Sequence, residues 1–270
     1  MKKRGEMTRT LALFAALAAA IAVAAGPASA VTDGQLDGNG HPYVGLMVAQ
    51  DAKGNPLWRC SGTLISAKLF LTAGHCTEAP AAHAEIWFQS DVTNAAAMNY
   101  PFKGQAGGTT YTHPNYNPNL FYVRDLGVVE LDGRGMPMSQ YGKLPGLNSL
   151  DALQPGSSTR FTSVGYGLQK SFPDASSWKD SALRVRMVAN PYLVQINGGI
   201  VGDFSLLLSN NSNSGGTCFG DSGGPNFLGS SNVIAGVTSF GLNGTCGGTG
   251  GVFRVDRSWS LDWLSTFSKR

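Results

Sequence analysis

Gly220-Asp221-Ser222-Gly223-Gly224-Pro225 is the stretch from which the rest of this chain can be interpreted. A serine hydroxyl is a weak nucleophile, so a serine that attacks a substrate needs a neighbouring base, a group that orients the base, and donors for the oxyanion. The glycines around Ser222 allow a tight turn that would bring the amides of Gly220 and Ser222 close to a substrate carbonyl. A Gly-Ser-Gly stretch alone is more often a loop, so its context must decide.

Two other segments offer the missing parts of such a site. His75 ends a strand-like run in Leu71-Thr72-Ala73-Gly74-His75-Cys76. No second Cys or His follows at metal-ligand spacing, so we expect no metal and no cofactor. Asp125 precedes the apolar residues 126–131, which places a carboxylate at the start of a core strand. A buried carboxylate needs a hydrogen-bonding partner, and His75 would provide one.

Length and composition favour a turn-rich β protein with a sizeable core. The chain has 270 residues, of which 42% are hydrophobic, 14% are charged and 36 are glycine. Residues 1–30 are typical of a secretory signal peptide, with a basic start, an apolar run and a small-residue end. They hold four of the 20 Lys and Arg residues and one of the 17 acidic residues, so the remainder is neutral with 16 of each. That balance predicts no nucleic-acid partner, and we expect no membrane association after signal removal.

Short strand-like runs, separated by Gly, Pro and Asn clusters, occupy most of the mature chain. They include residues 43–49, 63–71, 85–89, 126–131, 159–164, 183–188 and 233–240. A connector rich in Gly, Pro and Ser divides them, and residues 258–267 have helical spacing. The predicted organisation is therefore a first half at 31–131, a connector at 132–154, a second half at 155–257 and a helix at 258–270. Four cysteines in an exported chain suggest two disulfides, for which three pairings are possible.

These segments together resemble the trypsin and chymotrypsin family of serine proteases. The resemblance rests on residues 71–76, 125–131 and 220–225, in the family's order of His, Asp and Ser, and on Gly165-Tyr166-Gly167. It extends through Ser239-Phe240-Gly241, Gly251-Val252-Phe253 and the C-terminal helix, across essentially the whole mature chain. It implies an all-β fold of two six-stranded antiparallel β-barrels with a C-terminal α-helix.

The resemblance also implies a role for each candidate residue. Ser222 would be the nucleophile, His75 the general base and then acid, and Asp125 the group that orients the imidazole. The backbone amides of Gly220 and Ser222 would form the oxyanion hole. The implied disulfides are Cys60 with Cys76 and Cys218 with Cys246. The implied substrate-binding residues are Gly216, at the base of the specificity pocket, and Thr217, Ser239, Gly241 and Gly251. None of these offers a carboxylate for Lys or Arg, so a large apolar or aromatic side chain is expected before the scissile bond.

Members of this family bury a newly freed N-terminal ammonium against the aspartate that precedes the nucleophile. Their usual terminus is Ile-Val-Gly-Gly, and here Val31-Thr32-Asp33-Gly34 stands at that place. Because Val31 follows the expected signal cleavage site, we predict that signal peptidase generates the active terminus and that Val31 pairs with Asp221. The alternative is a disordered tail that requires a further cut, and Thr32 and Asp33 depart from the usual residues.

The expected protein is thus a secreted, extracellular serine endopeptidase, a monomer that acts on protein or peptide substrates through an acyl-enzyme. One alternative is a binding protein that kept the fold without activity, against which the intact His75, Asp125 and Ser222 argue. Another is an esterase of the α/β-hydrolase type, because residues 220–224 also satisfy Gly-x-Ser-x-Gly. That fold, however, has the chain order Ser, Asp, His and alternates strands with helices.

Overall fold

A computed structural model of the protein describes residues 31–120, 122–169 and 183–268. The predicted signal peptide at 1–30 lies outside these residues. The described chain forms two closed six-stranded antiparallel β-barrels followed by a short α-helix. The predicted all-β, two-barrel fold is therefore confirmed.

The first barrel has the strand order β2-β3-β4-β7-β6-β5. These strands are β2 (Val44–Gln50), β3 (Pro56–Leu64), β4 (Leu69–Thr72), β5 (His83–Trp87), β6 (Ala106–Thr112) and β7 (Gly127–Leu131). Every residue of β2 and β4 is buried. The apolar sequence of these two strands therefore supplies much of the barrel's core.

The second barrel has the strand order β8-β10-β11-β14-β13-β12 and closes where β12 pairs with β8. Its strands are β8 (Gly156–Gly165), β10 (Tyr192–Gln195), β11 (Ser205–Asn210), β12 (Pro225–Leu228), β13 (Ile234–Gly241) and β14 (Gly248–Arg254). A further strand, β9 (Met187–Ala189), pairs with the end of β8, and β1 (Gln35–Leu36) pairs with β9. The N-terminal segment thus joins the sheet of the second barrel, although it lies within the predicted first half.

Two of the predicted strand-like runs differ from the structure. The run at 63–71 is two strands, because β3 ends at Leu64 and β4 begins at Leu69. The chain reverses between them, and the amide of Ile65 donates to the Leu69 carbonyl at 2.9 Å. The run at 183–188 contributes only the short β9. Residues that favour β-strands occur throughout both runs, so composition alone did not reveal where the hydrogen-bonded strands end.

One buried apolar cluster extends across both barrels, and the second barrel has a separate cluster of its own. Leu46 and Phe70 of the first barrel and Phe227 and Val237 of the second belong to the same buried cluster. The fully buried guanidinium of Arg186 crosses this interface. It donates to the Val44 carbonyl at 3.1 Å, to the Phe88 carbonyl at 3.0 Å and to the Asp37 carboxylate at 2.8 Å. These acceptors compensate the cost of burying its charge.

The C-terminal helix, α1 (Ser258–Ser265), follows the second barrel but packs on the first. The Trp263 ring lies 5.1 Å from the imidazole of His113, and the Phe267 ring lies 5.3 Å from that of Tyr111 in β6. The helix is linked to the second barrel by the chain, and its apolar stripe packs on the first barrel. It therefore connects the two barrels. Within the described residues, no helix combines the length and hydropathy needed to cross a membrane.

Candidate active site

His75 and Asp125 are brought together by the pairing of β4 with β7. Thr72 lies opposite Gly127, so the turn after β4 meets the residues before β7. His75 lies in that turn, a short 3-10 helix at Gly74–Cys76, and Asp125 is fully buried. The Nδ1 atom of His75 lies 2.9 Å from Asp125 Oδ2, and the His75 amide donates to Asp125 Oδ1 at 2.9 Å. This contact favours a proton on Nδ1 and leaves Nε2 able to accept one.

The Asp125 carboxylate has one more donor. The hydroxyl of Ser239, on β13 of the second barrel, donates to Asp125 Oδ2 at 2.5 Å. Sequence reasoning assigned Ser239 only to substrate binding and missed this contact. Together with the two donors of His75, the Ser239 hydroxyl satisfies the hydrogen-bonding capacity of the Asp125 carboxylate, which has no access to water.

Ser222 lies in a tight turn that precedes β12. Gly220 and Gly223 both have left-handed backbones, with φ of 95° and 77°. A Cβ at Gly223 would lie 2.0 Å from the hydroxyl oxygen of Thr72, so glycine is required there for space as well. Ser61 of β3 holds the turn, because its amide donates to the Ser222 carbonyl at 2.8 Å and its hydroxyl to the Gly220 carbonyl at 3.0 Å. Sequence reasoning missed Ser61, since no motif marks it.

The amides of Gly220 and Ser222 remain as donors beside the Ser222 hydroxyl. In the part of the chain that the structure describes, neither amide has a hydrogen-bond acceptor. Most amides in folded proteins are paired, so two unpaired amides in one tight turn are suited to bind an anionic oxygen. Nor does a hydrogen bond join the Ser222 hydroxyl to His75 among these residues, and such bonds are often long without substrate.

His75 and Ser222 both line a cavity of about 490 Å³ in the cleft between the barrels. Three of the predicted substrate-binding residues also line it, namely Thr217, Ser239 and Gly241. The aromatic rings of Phe219 and Phe240, to which sequence reasoning gave no role, complete the apolar part of the wall. Such a cavity is large enough to hold a bulky side chain.

Gly216 and Gly251 are not among the described residues that line this cavity. A Cβ at Gly251 would lie 2.4 Å from the ring of Phe240, so that ring covers Gly251. A Cβ at Gly216 would lie 2.3 Å from Cγ of Asn210. The two glycines therefore leave room for neighbouring side chains.

The disulfides flank the site on both sides. Cys60 is bonded to Cys76, next to His75, and Cys218 is bonded to Cys246, where both half-cystines line the cavity. These are the pairs that the resemblance implies. The sulfur atoms of Cys60 and Cys76 and a ring nitrogen of His75 also lie within 4.8 Å of one another. Because the sulfurs are bonded to each other, they are not thiolates and do not suit a metal.

Asp221 is buried behind the nucleophile turn. Its carboxylate accepts the amide protons of Gly167 at 2.8 Å and Cys218 at 2.9 Å. Burial raises the pKa of Asp221 to about 7, although these two hydrogen bonds and the charge of Arg59 oppose the rise. An ionised Asp221 would therefore be stabilised by a nearby cation.

The family is decided by a match over most of the chain. The family model described as Trypsin matches residues 37–263. This chain belongs to the trypsin family. Residues 37–263 include His75, Asp125 and Ser222, and thus every part of the site except the N-terminal segment.

Its trypsin-family relatives are named proteases. Brachyurin of Leptuca pugilator is 29% identical over 223 residues, covering 78% of this chain and 88% of the relative. Granzyme M of Rattus norvegicus is 30% identical, covering 67% of this chain and 68% of the relative. Chymotrypsin of Phaedon cochleariae is 28% identical, covering 84% of this chain and 78% of the relative. The chain is thus similar to serine proteases along most of its length.

Solved structures of the trypsin-family fold are also similar. HL collagenase superposes with a TM-score of 0.66 at 21% identity, covering 88% of this chain and 99% of that chain. Human heparin binding protein superposes with a TM-score of 0.64 at 21% identity, covering 87% and 95%. At this identity the likeness supports the fold alone.

Proposed function

We propose that this trypsin-family protein is a secreted serine endopeptidase that cleaves peptide bonds with Ser222, His75 and Asp125. The observation that carries the proposal is the contact of His75 Nδ1 with the buried Asp125 carboxylate at 2.9 Å, at a cavity that Ser222 also lines. The unpaired amides of Gly220 and Ser222 add donors for an oxyanion. Together these groups supply a base, a group that orients it and oxyanion donors, which are the partners that a serine nucleophile needs.

The reaction would take place in two steps. The Ser222 oxygen attacks the peptide carbonyl carbon while His75 Nε2 accepts the hydroxyl proton, and the amides of Gly220 and Ser222 bind the resulting oxyanion. The intermediate collapses, the C–N bond breaks, and the departing amine takes the proton from His75. Water then attacks the ester on Ser222 with His75 as base, which releases the acid product and restores the hydroxyl.

A fluorophosphonate probe tests this proposal directly, because it reacts with activated serines. We expect the folded protein to be labelled at Ser222, as located by peptide mapping, and heat-denatured protein to remain unlabelled. We also expect the folded protein to cleave an unstructured polypeptide. A correctly processed, folded protein that shows neither labelling nor cleavage would instead support the binding-protein alternative.

Acid should inactivate the enzyme at a pH above the ordinary pKa of histidine. Burial alone would lower the pKa of His75, but the charge and hydrogen bond of Asp125, with a smaller contribution from Glu78, raise it above 6.5. Since only neutral His75 can accept the Ser222 proton, kcat/KM should fall as the pH decreases through that raised value. In Glu78→Gln the fall should move to lower pH, whereas Asp132→Asn, an exposed control, should leave it in place. An unchanged profile in Glu78→Gln would contradict this electrostatic account.

The cavity beside Ser222 supports a preference for large apolar or aromatic residues before the scissile bond. None of the described residues that line it is acidic. A buried carboxylate would be needed to select Lys or Arg, whereas Phe219 and Phe240 offer apolar surface. The half-cystines at Cys218 and Cys246 hold this wall in place.

The contacts of the N-terminal segment support the proposal that removal of residues 1–30 activates the enzyme. That removal would take place during secretion. Val31 is fully buried against Met187 and Ala189, and the Gly216 amide donates to the Thr32 carbonyl at 3.0 Å. Val31 has a φ of 56°, which is rare for a β-branched residue within a chain. Cleavage before Val31 would relieve this strain, because a free amino terminus has no φ angle. We propose that the freed ammonium then compensates the buried Asp221.

The mature protein is expected to begin at Val31, as mass spectrometry of the secreted form would show. In a form that retains Ala30, Asp221 has no ammonium partner, and its folded-state pKa stays above its unfolded value. The folded state then binds more protons, so the free energy of unfolding should decrease as pH rises from about 4 to about 7. Urea unfolding should show that decrease in the extended form but not in its Asp221→Asn variant. A mature start other than Val31 would contradict the proposal.

A further inference from the structure

We propose that Ser61 is a positioning residue whose hydroxyl directs the Gly220 amide toward the reacting carbonyl, with an effect on turnover and not on substrate binding. This inference rests on the proposed function, since it concerns how the oxyanion donors of that site are oriented. Ser61 lies in β3 of the first barrel and is fully buried. Gly220 lies in the turn before β12 of the second barrel, so the contact between them joins the two barrels.

The peptides that carry the two oxyanion donors are each anchored through their carbonyl oxygen. A trans peptide points its N–H away from its C=O, so a fixed carbonyl also fixes the direction of the amide. The peptide with the Gly220 amide has the carbonyl of Phe219, which accepts a hydrogen bond from the Leu168 amide at 2.9 Å. The peptide with the Ser222 amide is held by the Gly224 amide, which donates to its carbonyl at 2.8 Å.

Gly220 is the joint between these anchored peptides. Its φ of 95° is a conformation that glycine adopts freely, so rotation at this residue could turn its amide away from the cleft. The Ser61 hydroxyl restrains that rotation, because it donates to the Gly220 carbonyl at 3.0 Å. The Asp221 amide, at the other end of the same peptide, donates to the Cys218 carbonyl at 3.0 Å. That second bond lies within the turn, so it does not tie Gly220 to the first barrel.

The Ser61 hydroxyl is itself held in one orientation. The Tyr166 amide donates to Ser61 Oγ at 3.0 Å, so the hydroxyl proton remains available for the Gly220 carbonyl. Hydrogen bonds in such a chain polarise one another where water is excluded. The Ser61 carbonyl also accepts the Thr72 hydroxyl at 2.8 Å, which fixes the backbone beneath the side chain. Ser61 therefore presents a single, well-oriented proton to the nucleophile turn.

The consequence should be confined to the transition state. An oxyanion donor binds the substrate oxygen most strongly when that oxygen carries negative charge, so a misdirected donor weakens the transition state more than the bound substrate. Loss of a complete oxyanion donor lowers kcat by about 10²- to 10³-fold, and misdirection of one donor should cost less. Ser61→Ala is therefore expected to lower kcat by about tenfold and to leave KM within about twofold of the wild-type value.

A peptide aldehyde that ends in phenylalanine measures the oxyanion donors directly. Ser222 Oγ adds to the aldehyde carbon, the hydroxyl proton passes to His75, and the carbonyl oxygen becomes the oxyanion. In Ser61→Ala the Ki of the aldehyde should rise by about tenfold. The Ki of the matching peptide alcohol, which forms no bond to Ser222, should not change. Equal weakening of both ligands would mean that the whole cleft is disturbed and would overturn the proposal.

Thr162→Val is the matched control. Thr162 is buried in β8, and its hydroxyl also donates to a backbone carbonyl, that of Gly229 at 2.7 Å. This variant should lower Tm but leave kcat and both Ki values unchanged. If Ser61→Ala yields no folded protein, Ser61→Gly, which also lacks the hydroxyl, should show the same difference between aldehyde and alcohol.

Fluorophosphonate labelling separates this proposal from the proposed function. If the wild-type protein is labelled at Ser222 and a folded Ser61 variant keeps the wild-type kcat and aldehyde Ki, only the role of Ser61 is refuted. Wild-type protein that is not labelled refutes the protease, and the role of Ser61 with it.

Discussion

Ser222→Ala is expected to lower peptide turnover by about 10⁶-fold. The substitution removes the attacking oxygen, while the Ser222 amide, its carbonyl contact with Ser61 and the cavity remain. Substrate should therefore still bind, with a Kd close to the wild-type KM. Turnover by the purified variant, measured against a fluorogenic peptide over many hours, gives the size of the effect.

Ser158→Ala is the matched control, because Ser158 is exposed and far along the sequence from the proposed site residues. It should retain full activity. The melting temperature of Ser222→Ala should remain within a few degrees of the wild-type value, since the Ser222 hydroxyl makes no hydrogen bond to the described residues. Undiminished hydrolysis by Ser222→Ala would remove Ser222 from the mechanism and leave the cleft without a nucleophile.

Asp125→Asn is expected to lower turnover by about 10⁴-fold. The carboxylate accepts hydrogen bonds from the His75 amide, from His75 Nδ1 and from the Ser239 hydroxyl. An asparagine has an NH₂ group where the aspartate has one of its acceptor oxygens. His75 Nδ1 can then accept a hydrogen bond from that NH₂ group. The proton of His75 moves to Nε2, which can no longer accept the hydroxyl proton of Ser222.

Asp262→Asn, on the exposed side of α1, provides the same chemical change outside the site and should be neutral. Labelling by the fluorophosphonate probe should be slowed in Asp125→Asn in proportion to turnover, because both reactions need the same proton acceptor. A fall in turnover accompanied by wild-type labelling would show that Asp125 is not needed for His75 to activate Ser222.

The parts of the site that sequence could predict are those carried by short contiguous motifs. The residues around His75, Asp125 and Ser222 are each flanked by strands or glycines whose local pattern is visible in sequence. Their order along the chain then distinguishes this family from the esterase that shares the Gly-x-Ser-x-Gly string. The two-barrel architecture followed from the same resemblance.

The parts that sequence could not predict depend on contacts between distant residues. β6 contains two consecutive glycines, and a Cβ at Gly108 would lie 2.2 Å from the carbonyl oxygen of Glu130 in the neighbouring strand. Glycine is present there because two backbones approach closely, yet in sequence it suggests a loop. The pairing of β1 with β9 likewise joins residues about 150 positions apart in the chain.

The supporting polar residues were missed for the same reason. Ser61 is an ordinary serine of β3 until the turn at Gly220 is placed against it. Ser239 was recognised from its motif, but its bond to Asp125 crosses from one barrel to the other and has no local signature.

A destabilising substitution in the apolar cluster that both barrels share should affect both halves of the molecule. Because one apolar cluster and Arg186 join both barrels, unfolding of either barrel should expose buried apolar surface of the other. Neither half holds a complete set of reacting groups, so a half-folded chain has no partial activity to lose. A destabilising substitution in that core should therefore reduce the number of active molecules in a sample while each survivor keeps its normal selectivity.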